Sequence, residues 1–339
     1  MKNTAISAII PTHNRSHMIT RAIDSILSQA DIDDELIIID DGSEDETASI
    51  VALYGDKIKY IYIPNQGAGV ARNIGIKEAT RPLVTFLDSD DAWMPQHNKV
   101  LKTVMTARPD LLFCFTNYAA RFPDNSLRRF ALESHHGYEI NWDRVVGPSK
   151  MASTLFKLPE NMPDFRCHES TNLYESLCSN SYVCVSTMIV RRIEAGEHFR
   201  FSEGAPTAEE WECAANLARA GKSMYLHYET AWINHHYGNR LTDADMFNYA
   251  SSRISFRKRI WGADFEFLRN NQNVYDSAIR EDRLLRLEGF LLQGRAREAR
   301  LELADLEGIS FTYSLLAFLP GFLAKFLLDV RRAIKSIFK

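Results

Sequence analysis

Three short apolar runs of the chain end in polar residues, and two of these ends are acidic. The runs and the residues that follow them are 5–10 before Pro11-Thr12-His13-Asn14, 36–39 before Asp40-Asp41, and 83–87 before Asp88-Ser89-Asp90-Asp91. In an open parallel sheet, ligands bind beyond the carboxyl ends of the strands. Acidic groups there do not attract a phosphate directly, but they hold a divalent cation that does. These residues predict a metal-bound nucleoside diphosphate as the ligand.

The predicted metal motif is the pair Asp88 and Asp90, two carboxylates one residue apart at a strand end. Such a pair holds Mg²⁺ or Mn²⁺ beside a diphosphate, and the metal neutralises the charge that grows on the leaving group. Asp also favours turns, so an isolated pair carries little weight. The second acidic strand end favours the metal interpretation. His235 and His236 follow the last predicted strand, and one of them is a candidate third ligand or phosphate contact, with a structural role as the alternative. His235 is the one assigned to the metal.

The candidates for a general base are Glu209 and Glu210, which begin a predicted helix beside an aromatic residue. A sugar transfer needs a base that deprotonates the acceptor hydroxyl. Acidic residues in a first helical turn also occur because they favour the helix dipole, and that alternative stays open. Asp40 and Asp41 are candidate hydrogen-bond acceptors for a ribose hydroxyl or a base N–H. The alternative for one of them is a purely structural role in a turn and as a helix N-cap.

Gly67 and Arg72 bound a glycine-containing segment that lacks the third glycine of a dinucleotide fingerprint, which disfavours a nicotinamide site. Glycines there let the backbone pass close to a nucleotide. Arg72 and Asn73 can then reach toward Asp88 or the base. The alternative for Arg72 is a structural ion pair.

Apolar and helix-like segments alternate over residues 1–117, which is typical of βαβ units. Residues 120–180 are irregular and predict loops and short helices over the sheet edge. A strand is predicted at 181–190, and a helix and a strand at 209–220 and 226–233. The chain from about residue 243 has a helical pattern throughout. These elements predict an α/β fold with a mostly parallel sheet, flanking helices and a C-terminal helical region.

The composition is that of an ordinary globular protein, with 339 residues, 45% hydrophobic and 25% charged. A net charge of −4 gives no basic field for nucleic acid. The five cysteines lack short paired spacing, so reduced thiols in a cytosolic protein are favoured over a zinc site at Cys167, His168, Cys178 and Cys184. We expect no secretion signal, because the first residues run straight into a strand.

The C-terminal tail, residues 311–339, combines bulky apolar residues with basic ones. Its apolar segment is shorter than the ~20 residues that span a bilayer. An apolar face beside clustered Lys and Arg predicts an interfacial amphipathic helix at an anionic membrane surface. The alternative is a terminal helix docked on the protein or on a second subunit. The basic residues of the tail are Lys325, Arg331, Arg332, Lys335 and Lys339.

Taken together, these motifs resemble family 2 glycosyltransferases, the inverting group with the GT-A fold. The resemblance implies a sugar nucleotide donor, a divalent metal (Mn²⁺ or Mg²⁺) and inversion at the anomeric carbon. It covers residues 4–100 closely and 180–240 more loosely. The matching segments are residues 7–15, 39–43, 65–73, 86–91 and Trp93.

The resemblance also assigns roles to individual residues. It implies that Pro11, Thr12 and Asp41 frame the base and ribose, and that Asp90 is the direct metal ligand beside Asp88. The family's base is commonly the Asp of a Glu-Asp pair. This chain has two glutamates there, so the base is assigned to the second, Glu210. The remaining predicted contacts of the nucleotide-sugar are Asn14, Asp40, Gly67, Arg72 and Ser89.

The predicted function is therefore transfer of a sugar from a nucleoside-diphosphate sugar, with a uridine diphosphate sugar favoured, to a hydroxyl acceptor. The expected setting is cell-surface polysaccharide or glycolipid synthesis, with a glycan or lipid-linked acceptor and a cytoplasmic protein peripheral to the inner face of the membrane. One alternative is a sugar-phosphate nucleotidyltransferase, which is disfavoured because no basic glycine-rich loop follows the first strand. The other is a non-catalytic nucleotide- or sugar-binding scaffold.

The predicted domain order has three parts. A GT-A-like catalytic domain covers residues 1–240, with a nucleotide-sugar-binding half at 1–117 and an acceptor half at 118–240. A helical extension at 241–310 follows, and the amphipathic tail at 311–339 completes the chain.

Overall fold

The structure is a computed structural model that describes residues 4–134, 139–204, 207–235, 246–306 and 311–337. The chain divides into two compact units. The first comprises Met1–Ala205 and Glu209–Gly238, and the second comprises Pro206–Ala208 and Asn239–Lys339. The predicted division of the catalytic domain into donor and acceptor halves stays a prediction.

The first unit is built on one mixed sheet, which has eleven strands among the described residues. Its order is β3-β2-β1-β4-β10-β6-β11-β9-β8, with β5 paired to β11 and β7 paired to β6. Neighbours within β3-β2-β1-β4 are parallel, as are β6 and β11. The strands are β1 Ile6–Thr12, β2 Glu35–Asp41, β3 Ile58–Ile63, β4 Leu83–Phe86, β5 Ala92–Trp93, β6 Leu111–Arg121, β7 Leu127–Arg128, β8 Ser149–Met151, β9 Arg166–Glu169, β10 Met188–Arg191 and β11 Lys222–Asn234.

Helices connect many of these strands. Three short 3₁₀ turns lie at Gly55–Lys57, Val185–Thr187 and Gly196–His198. The helices of the first unit are α1 Ser16–Leu27, α2 Thr47–Ala52, α3 Ala68–Glu78, α4 His97–Ala107, α5 Ala131–Ser134, α6 Trp142–Val145, α7 Ala152–Leu155, α8 Leu173–Ser176, α9 Arg192–Ala195 and α10 Glu209–Ala220.

The central strands are apolar along their length because they are buried on both faces. Every residue of β1 is buried, which explains why its sequence shows a continuous apolar run rather than an alternating one. Helix α3 packs closely on this strand. A Cβ atom built on Gly75 would lie 2.4 Å from Ile9 Cγ2, so a glycine is required at that contact. This packing fixes the position of α3, which carries Arg72.

The predicted α/β fold with flanking helices and a helical C-terminal region is confirmed, and two local details differ. Strands β8 and β9 lie within residues 120–180, where loops and short helices were expected, because strands of three or four residues show no periodicity. Strand β10 is shorter than predicted since Val185–Thr187 forms a 3₁₀ turn. The start of α1 is capped by a residue distant in sequence, because the Ser16 N–H donates to Asp45 Oδ2 at 3.0 Å.

Among the described residues, the regular elements of the second unit are all helices. Its buried apolar cluster joins α12, α13 and the tail helices α14 and α15. The chain turns between α12 and α13 beside Gly294, which has a φ of 72°. No helix in the described part of the chain is long and apolar enough to cross a membrane. The helices are α11 Met246–Ile260, α12 Phe265–Leu292, α13 Ala296–Ala304, α14 Phe311–Phe318 and α15 Gly321–Ile337.

Candidate functional site

The carboxyl ends of β1, β2 and β4 lie side by side, because the three strands are parallel neighbours in the sheet. Thr12 at the end of β1 is in register with Asp40 of β2. The loop that follows β4, residues 88–91, is called the acidic loop below. The polar strand ends thus share one edge, as predicted.

Asp40 holds the turn after β2. Its Oδ1 accepts a hydrogen bond from the Ser43 N–H at 2.8 Å, and its Oδ2 accepts one from the Tyr60 hydroxyl at 2.6 Å. Burial and the hydrogen bond to Asp40 raise the pKa of Tyr60. The carboxylate is fully buried. Its observed contacts therefore shape the sheet edge, and a direct contact with a ligand stays a prediction.

Asp41 fixes the segment that leads into α3. Its Oδ1 accepts from the Gln66 N–H at 2.7 Å, and its Oδ2 accepts from the Gly67 N–H at 2.8 Å. Gly67 has a φ of 94°, a conformation that favours glycine. A carboxylate has about four acceptor positions, so each oxygen of Asp41 retains capacity for a ligand donor.

The end of β1 presents one buried polar group without a partner. The Thr12 hydroxyl is buried and has no hydrogen-bond partner in the described part of the chain, and Pro11 beside it is also buried. Asn14 ties this end to the next one, since its Oδ1 accepts from the Glu44 N–H at 2.8 Å. A ligand bound at this edge would supply a partner for the Thr12 hydroxyl.

The guanidinium of Arg72 joins the acidic loop to the start of α10. Its Nη2 lies 2.7 Å from Asp88 Oδ1 and 2.9 Å from Glu210 Oε1, and its Nη1 lies 3.0 Å from Glu209 Oε1. Its Cζ lies 5.3 Å from the centre of the Phe201 ring. Arg72 is buried, so one cation shielded from water holds three carboxylates together. This arrangement corresponds to the structural ion pair, and a role of Arg72 as a donor contact stays a prediction.

The two glutamates differ in their exposure to solvent. The side chain of Glu209 is 9% exposed, whereas that of Glu210 is 34% exposed. Burial raises the pKa of Glu210, and Arg72 offsets part of this rise while the charge of Asp88 adds to it. Glu210 is therefore the more accessible of the pair, and it holds a proton at a higher pH than an ordinary glutamate.

The side chains of the acidic loop differ in their exposure to solvent. Asp91 is buried, its Oδ1 accepts from the Asn234 N–H at 2.9 Å, and burial raises its pKa. Ser89 is also buried. Asp90 has a side chain that is 23% exposed, and its Oδ2 lies 4.0 Å from Arg15 Nε. Asp90 and Asp88 therefore present the carboxylates of this loop that a metal can reach.

The donor set of the acidic loop fits a divalent metal of the Mg²⁺ type. Such an ion uses one or two carboxylates together with substrate phosphates, and Asp88 and Asp90 supply two. Burial raises the pKa of Asp88, and the nearby charge of Asp90 adds to the rise, so a cation would relieve a repulsion between them. Within the described ranges, no group of three His, Cys, Asp or Glu side chains is placed to hold a metal.

The predicted third ligand, His235, has other contacts. Its backbone N–H donates to the Arg121 carbonyl oxygen at 2.7 Å, and its ring stacks on the Phe122 ring with centroids 4.5 Å apart. Among the described residues, His235 does not form a group of three possible metal ligands with Asp88 and Asp90. The assignment of His235 to the metal stays a prediction. His236 lies outside the described residues. The five cysteines are free thiols.

Residues 201–202 support the site and were not predicted from the sequence. Asn73 Oδ1 accepts from the Phe201 N–H at 2.8 Å, and its Nδ2 donates to the Phe201 carbonyl at 2.9 Å. A Cβ atom on Gly69 would lie 2.5 Å from the Ser202 carbonyl oxygen, so α3 and this segment touch backbone to backbone. No local pattern indicates this contact, because the segments are far apart in the sequence.

Comparison with known proteins finds similar sequences for the N-terminal part of the chain. Residues 7–166 match the family model described as Glycosyl transferase family 2. An uncharacterized glycosyltransferase of Rickettsia prowazekii is 43% identical over 156 residues, which are 45% of this chain and 46% of that protein. An uncharacterized glycosyltransferase of a Nostoc species is 44% identical over 94 residues, 26% of this chain and 29% of that protein. The chain spans less than half the length of these curated relatives.

Solved structures show a similar fold. The crystal structure of S. aureus TarS 1-349 in complex with UDP-GlcNAc has a TM-score of 0.56 and 16% sequence identity, and the match covers 89% of this chain and 88% of that one. The structure of S. aureus TarS has a TM-score of 0.59 and 17% identity, covering 89% of this chain and 53% of that one. The predicted resemblance to family 2 glycosyltransferases of the GT-A fold is confirmed.

We expect Arg72→Met to destabilise the protein, because three carboxylates lose their shared cation while most of the side-chain volume is kept. The free energy of unfolding at pH 7 should fall by about 3 kcal/mol, the lower end of the range for buried pairs, since solvent screens the outer carboxylates. Loss of the cation raises the pKa of Asp88 and the pKa of Glu210 further in the folded state. The deficit should therefore shrink as pH falls from 7 to 5, and urea unfolding at both pH values measures it.

Lys59→Met is the control for this variant. Lys59 Nζ forms an exposed ion pair with Glu78 at 2.6 Å, and such a pair contributes less than about 1 kcal/mol. Equal losses of unfolding free energy in the two variants would contradict the role given to the buried cation. A loss in Arg72→Met that does not change with pH would contradict it as well.

Proposed function

Because residues 7–166 match the family model described as Glycosyl transferase family 2, we propose that the protein transfers a sugar from a nucleoside-diphosphate sugar to a hydroxyl acceptor with inversion. The observation that carries this proposal is the Arg72 network. It places Asp88 of the predicted metal motif beside Glu210, the predicted base. A transfer enzyme needs these two groups close together, because bond breaking and acceptor activation occur at the same anomeric carbon.

The donor lies across the shared strand edge in this proposal. The Thr12 hydroxyl and the remaining acceptor positions of Asp41 contact the base and ribose, and Gly67 keeps the backbone near them open. A uridine diphosphate sugar is the favoured donor. Support for it comes from TarS, a protein of similar fold that was crystallised in complex with UDP-GlcNAc.

Asp88 and Asp90 would hold Mg²⁺ or Mn²⁺ beside the diphosphate. The metal, when bound, supplies positive charge that stabilises the departing diphosphate. The family resemblance assigns the direct metal contact to Asp90, whose Oδ2 lies 4.0 Å from Arg15 Nε, whereas Asp88 Oδ1 lies 2.7 Å from Arg72 Nη2. Arg72 orients Asp88 and keeps its charge balanced.

Glu210 acts as the base in this proposal. Its Oε1 is held by Arg72, and it is the more exposed of the two glutamates, so an acceptor hydroxyl can reach it. Glu210 takes the proton of that hydroxyl as the oxygen attacks the anomeric carbon on the face opposite the leaving diphosphate. The raised pKa of its carboxyl suits this task, because the base then binds a proton strongly. Glu209 positions Arg72.

The protein also attaches to an anionic membrane surface through its tail helices in this proposal, and its acceptor is a glycan or a lipid-linked sugar. On α15, Ala324 and Leu328 are buried in the apolar cluster of the second unit. Phe322 and Phe326 are 79% and 61% exposed, and Lys325 beside them is also exposed. An exposed aromatic face with basic neighbours is typical of an interfacial helix.

We expect Asp90→Asn to abolish the Mg²⁺- or Mn²⁺-dependent part of uridine diphosphate binding, because the substitution removes the charge and keeps the shape. Calorimetric titration with and without the metal measures it. Asp56→Asn, in an exposed turn, is the matched control and should bind normally. If uridine diphosphate binding by Asp90→Asn keeps its full dependence on the metal, the metal ligand has been assigned to the wrong residue.

A second experiment incubates the protein with a panel of nucleoside-diphosphate sugars and measures the release of uridine diphosphate. An enzyme releases it, whereas a non-catalytic scaffold does not.

We expect Glu210→Gln to keep donor affinity and to lose transfer by about 10²-fold or more. In the wild type, transfer should rise with pH as Glu210 loses its proton. Because its pKa is raised, the midpoint of this rise should lie above the ~4.3 of an ordinary glutamate. Rates of transfer from pH 5 to 9 test both points. Normal turnover of Glu210→Gln together with a loss in Glu209→Gln would reverse the assignment.

We expect the double variant Phe322→Ser, Phe326→Ser to lose binding to vesicles that contain anionic lipid, because it removes exposed apolar area without touching the buried cluster. Vesicle co-sedimentation measures the loss, which salt should enlarge by screening the basic residues. Phe265→Ser removes another exposed aromatic, 86% exposed at the start of α12, and serves as the control. A wild type that ignores such vesicles would contradict the membrane proposal.

A further inference from the structure

Helix α13 of the second unit has one exposed face that combines two arginines with a leucine. Arg297, Arg300 and Leu301 are exposed, and their spacing of three and four residues places them on the same side of the helix. Ala299 and Glu302, on the opposite side, are buried. Leu301 is 65% exposed, so the solvent face of this helix is partly apolar.

Helix α14 continues this face. Leu315 and Phe318 are exposed and lie three residues apart, whereas Leu316 and Ala317 between them are buried. The Arg300 guanidinium lies near the exposed ring, with its Cζ 5.6 Å from the centre of the Phe318 ring. The exposed sides of the two helices therefore adjoin. The α13–α14 surface is defined here as Arg297, Arg300, Leu301, Leu315 and Phe318.

A packed core lies behind this surface. Ala299 of α13 and Leu316 and Ala317 of α14 belong to one buried apolar cluster, together with Leu287 and Leu291 of α12. Close packing of this kind leaves the two helices little freedom to move apart. The fold of the second unit therefore presents the exposed side chains of α13 and α14 together.

The α13–α14 surface contains two cations and no acidic side chain, and its acidic neighbours are engaged by other arginines. The Oε1 of Glu298 lies 2.9 Å from Arg295 Nε. A hydrogen bond to its own backbone N–H and the one from Arg295 lower the pKa of Glu298, and the charge of Arg297 lowers it further. Asp305, at the end of α13, pairs with an arginine of α12. Glu298 therefore offsets part of the charge of Arg297, and positive charge remains in excess.

These properties fit an anionic bilayer better than a second copy of the chain. Contiguous exposed apolar side chains mark an interaction surface. At a bilayer, apolar side chains and arginine stems enter the interface while the guanidinium groups stay at the level of the charged headgroups. In a two-fold contact between copies the surface would meet itself, so Arg297 and Arg300 would face like charges. An anionic bilayer presents the opposite charge to them.

We propose that the α13–α14 surface binds the headgroups of an anionic bilayer, as a membrane contact in addition to the one proposed for α15. The inference rests on the proposed attachment to the membrane and deepens it, because it adds two further helices to the contact. Helices that share one packed core then meet the bilayer together, and the second unit docks in a fixed orientation.

The test measures co-sedimentation of the full chain with vesicles of phosphatidylglycerol and phosphatidylcholine at low salt. The double variant Arg297→Gln, Arg300→Gln should bind about twentyfold more weakly or worse, because each basic residue near an anionic surface contributes about fivefold. Arg297→Lys, Arg300→Lys should keep most of the binding, since a bilayer attracts the charge and does not need the planar fork. Leu301→Ser, Phe318→Ser should weaken the part of the binding that persists at high salt.

The matched control is the double variant Lys258→Gln, Arg269→Gln, which removes two exposed basic residues of α11 and α12. Its net charge equals that of Arg297→Gln, Arg300→Gln, and it should bind vesicles as the wild type does. Equal binding by these two double variants would overturn the proposal.

The tail variant Phe322→Ser, Phe326→Ser separates this inference from the proposed attachment through α15. If only the tail variant loses binding, attachment through α15 stands and the α13–α14 contact is refuted. A wild type that ignores the vesicles would refute both. A wild type that dimerises, and that Leu301→Ser, Phe318→Ser makes monomeric without changing vesicle binding, would assign the surface to a second copy. Uridine diphosphate affinity, which should be equal in all variants, separates these failures from a failure of the donor site.

Discussion

A single buried cation organises the functional edge of this protein. Arg72 contacts Asp88, Glu209 and Glu210 at 2.7, 3.0 and 2.9 Å, and water does not compete for these contacts because the guanidinium is buried. A buried ion pair costs desolvation energy and is retained only when its geometry is good. Here the planar group donates to three carboxylates that would otherwise repel one another. The acidic loop and the start of α10 depend on it for their relative position.

The position of this cation depends in turn on how α3 is held. Gly75 lets the helix approach β1, and Gly69 lets it touch the backbone at Ser202. Asp41 fixes the chain before the helix by accepting two backbone N–H groups. Asn73 pairs with both backbone groups of Phe201. These contacts are short and directional, so they hold α3 in one position. Arg72 therefore stays in contact with all three carboxylates.

The carboxylates of the sheet edge serve different purposes despite their common chemistry. Asp40 is buried and holds the turn after β2, and Asp91 is buried and accepts from the Asn234 N–H at the end of β11. The side chain of Asp90 is partly exposed, and Glu210 combines partial exposure with a raised pKa. Binding and catalysis need groups that solvent and substrate can reach, while the buried acids keep those groups in place. The second unit shows a similar division, since α15 buries Ala324 and Leu328 and exposes Phe322 and Phe326.

The sequence by itself determined the parallel strands, the acidic strand ends, the helix at residues 209–220 and the helical C-terminal region. It did so because continuous apolar runs, helical periodicity and turn residues are local patterns. Only the tertiary structure decided that Arg72 meets Glu209, 137 residues away, that Asp45 caps α1, and that β8 and β9 join the sheet. Such contacts depend on the order of the strands and on the close packing at Gly69 and Gly75. The periodicity of a single segment predicts neither the strand order nor this packing.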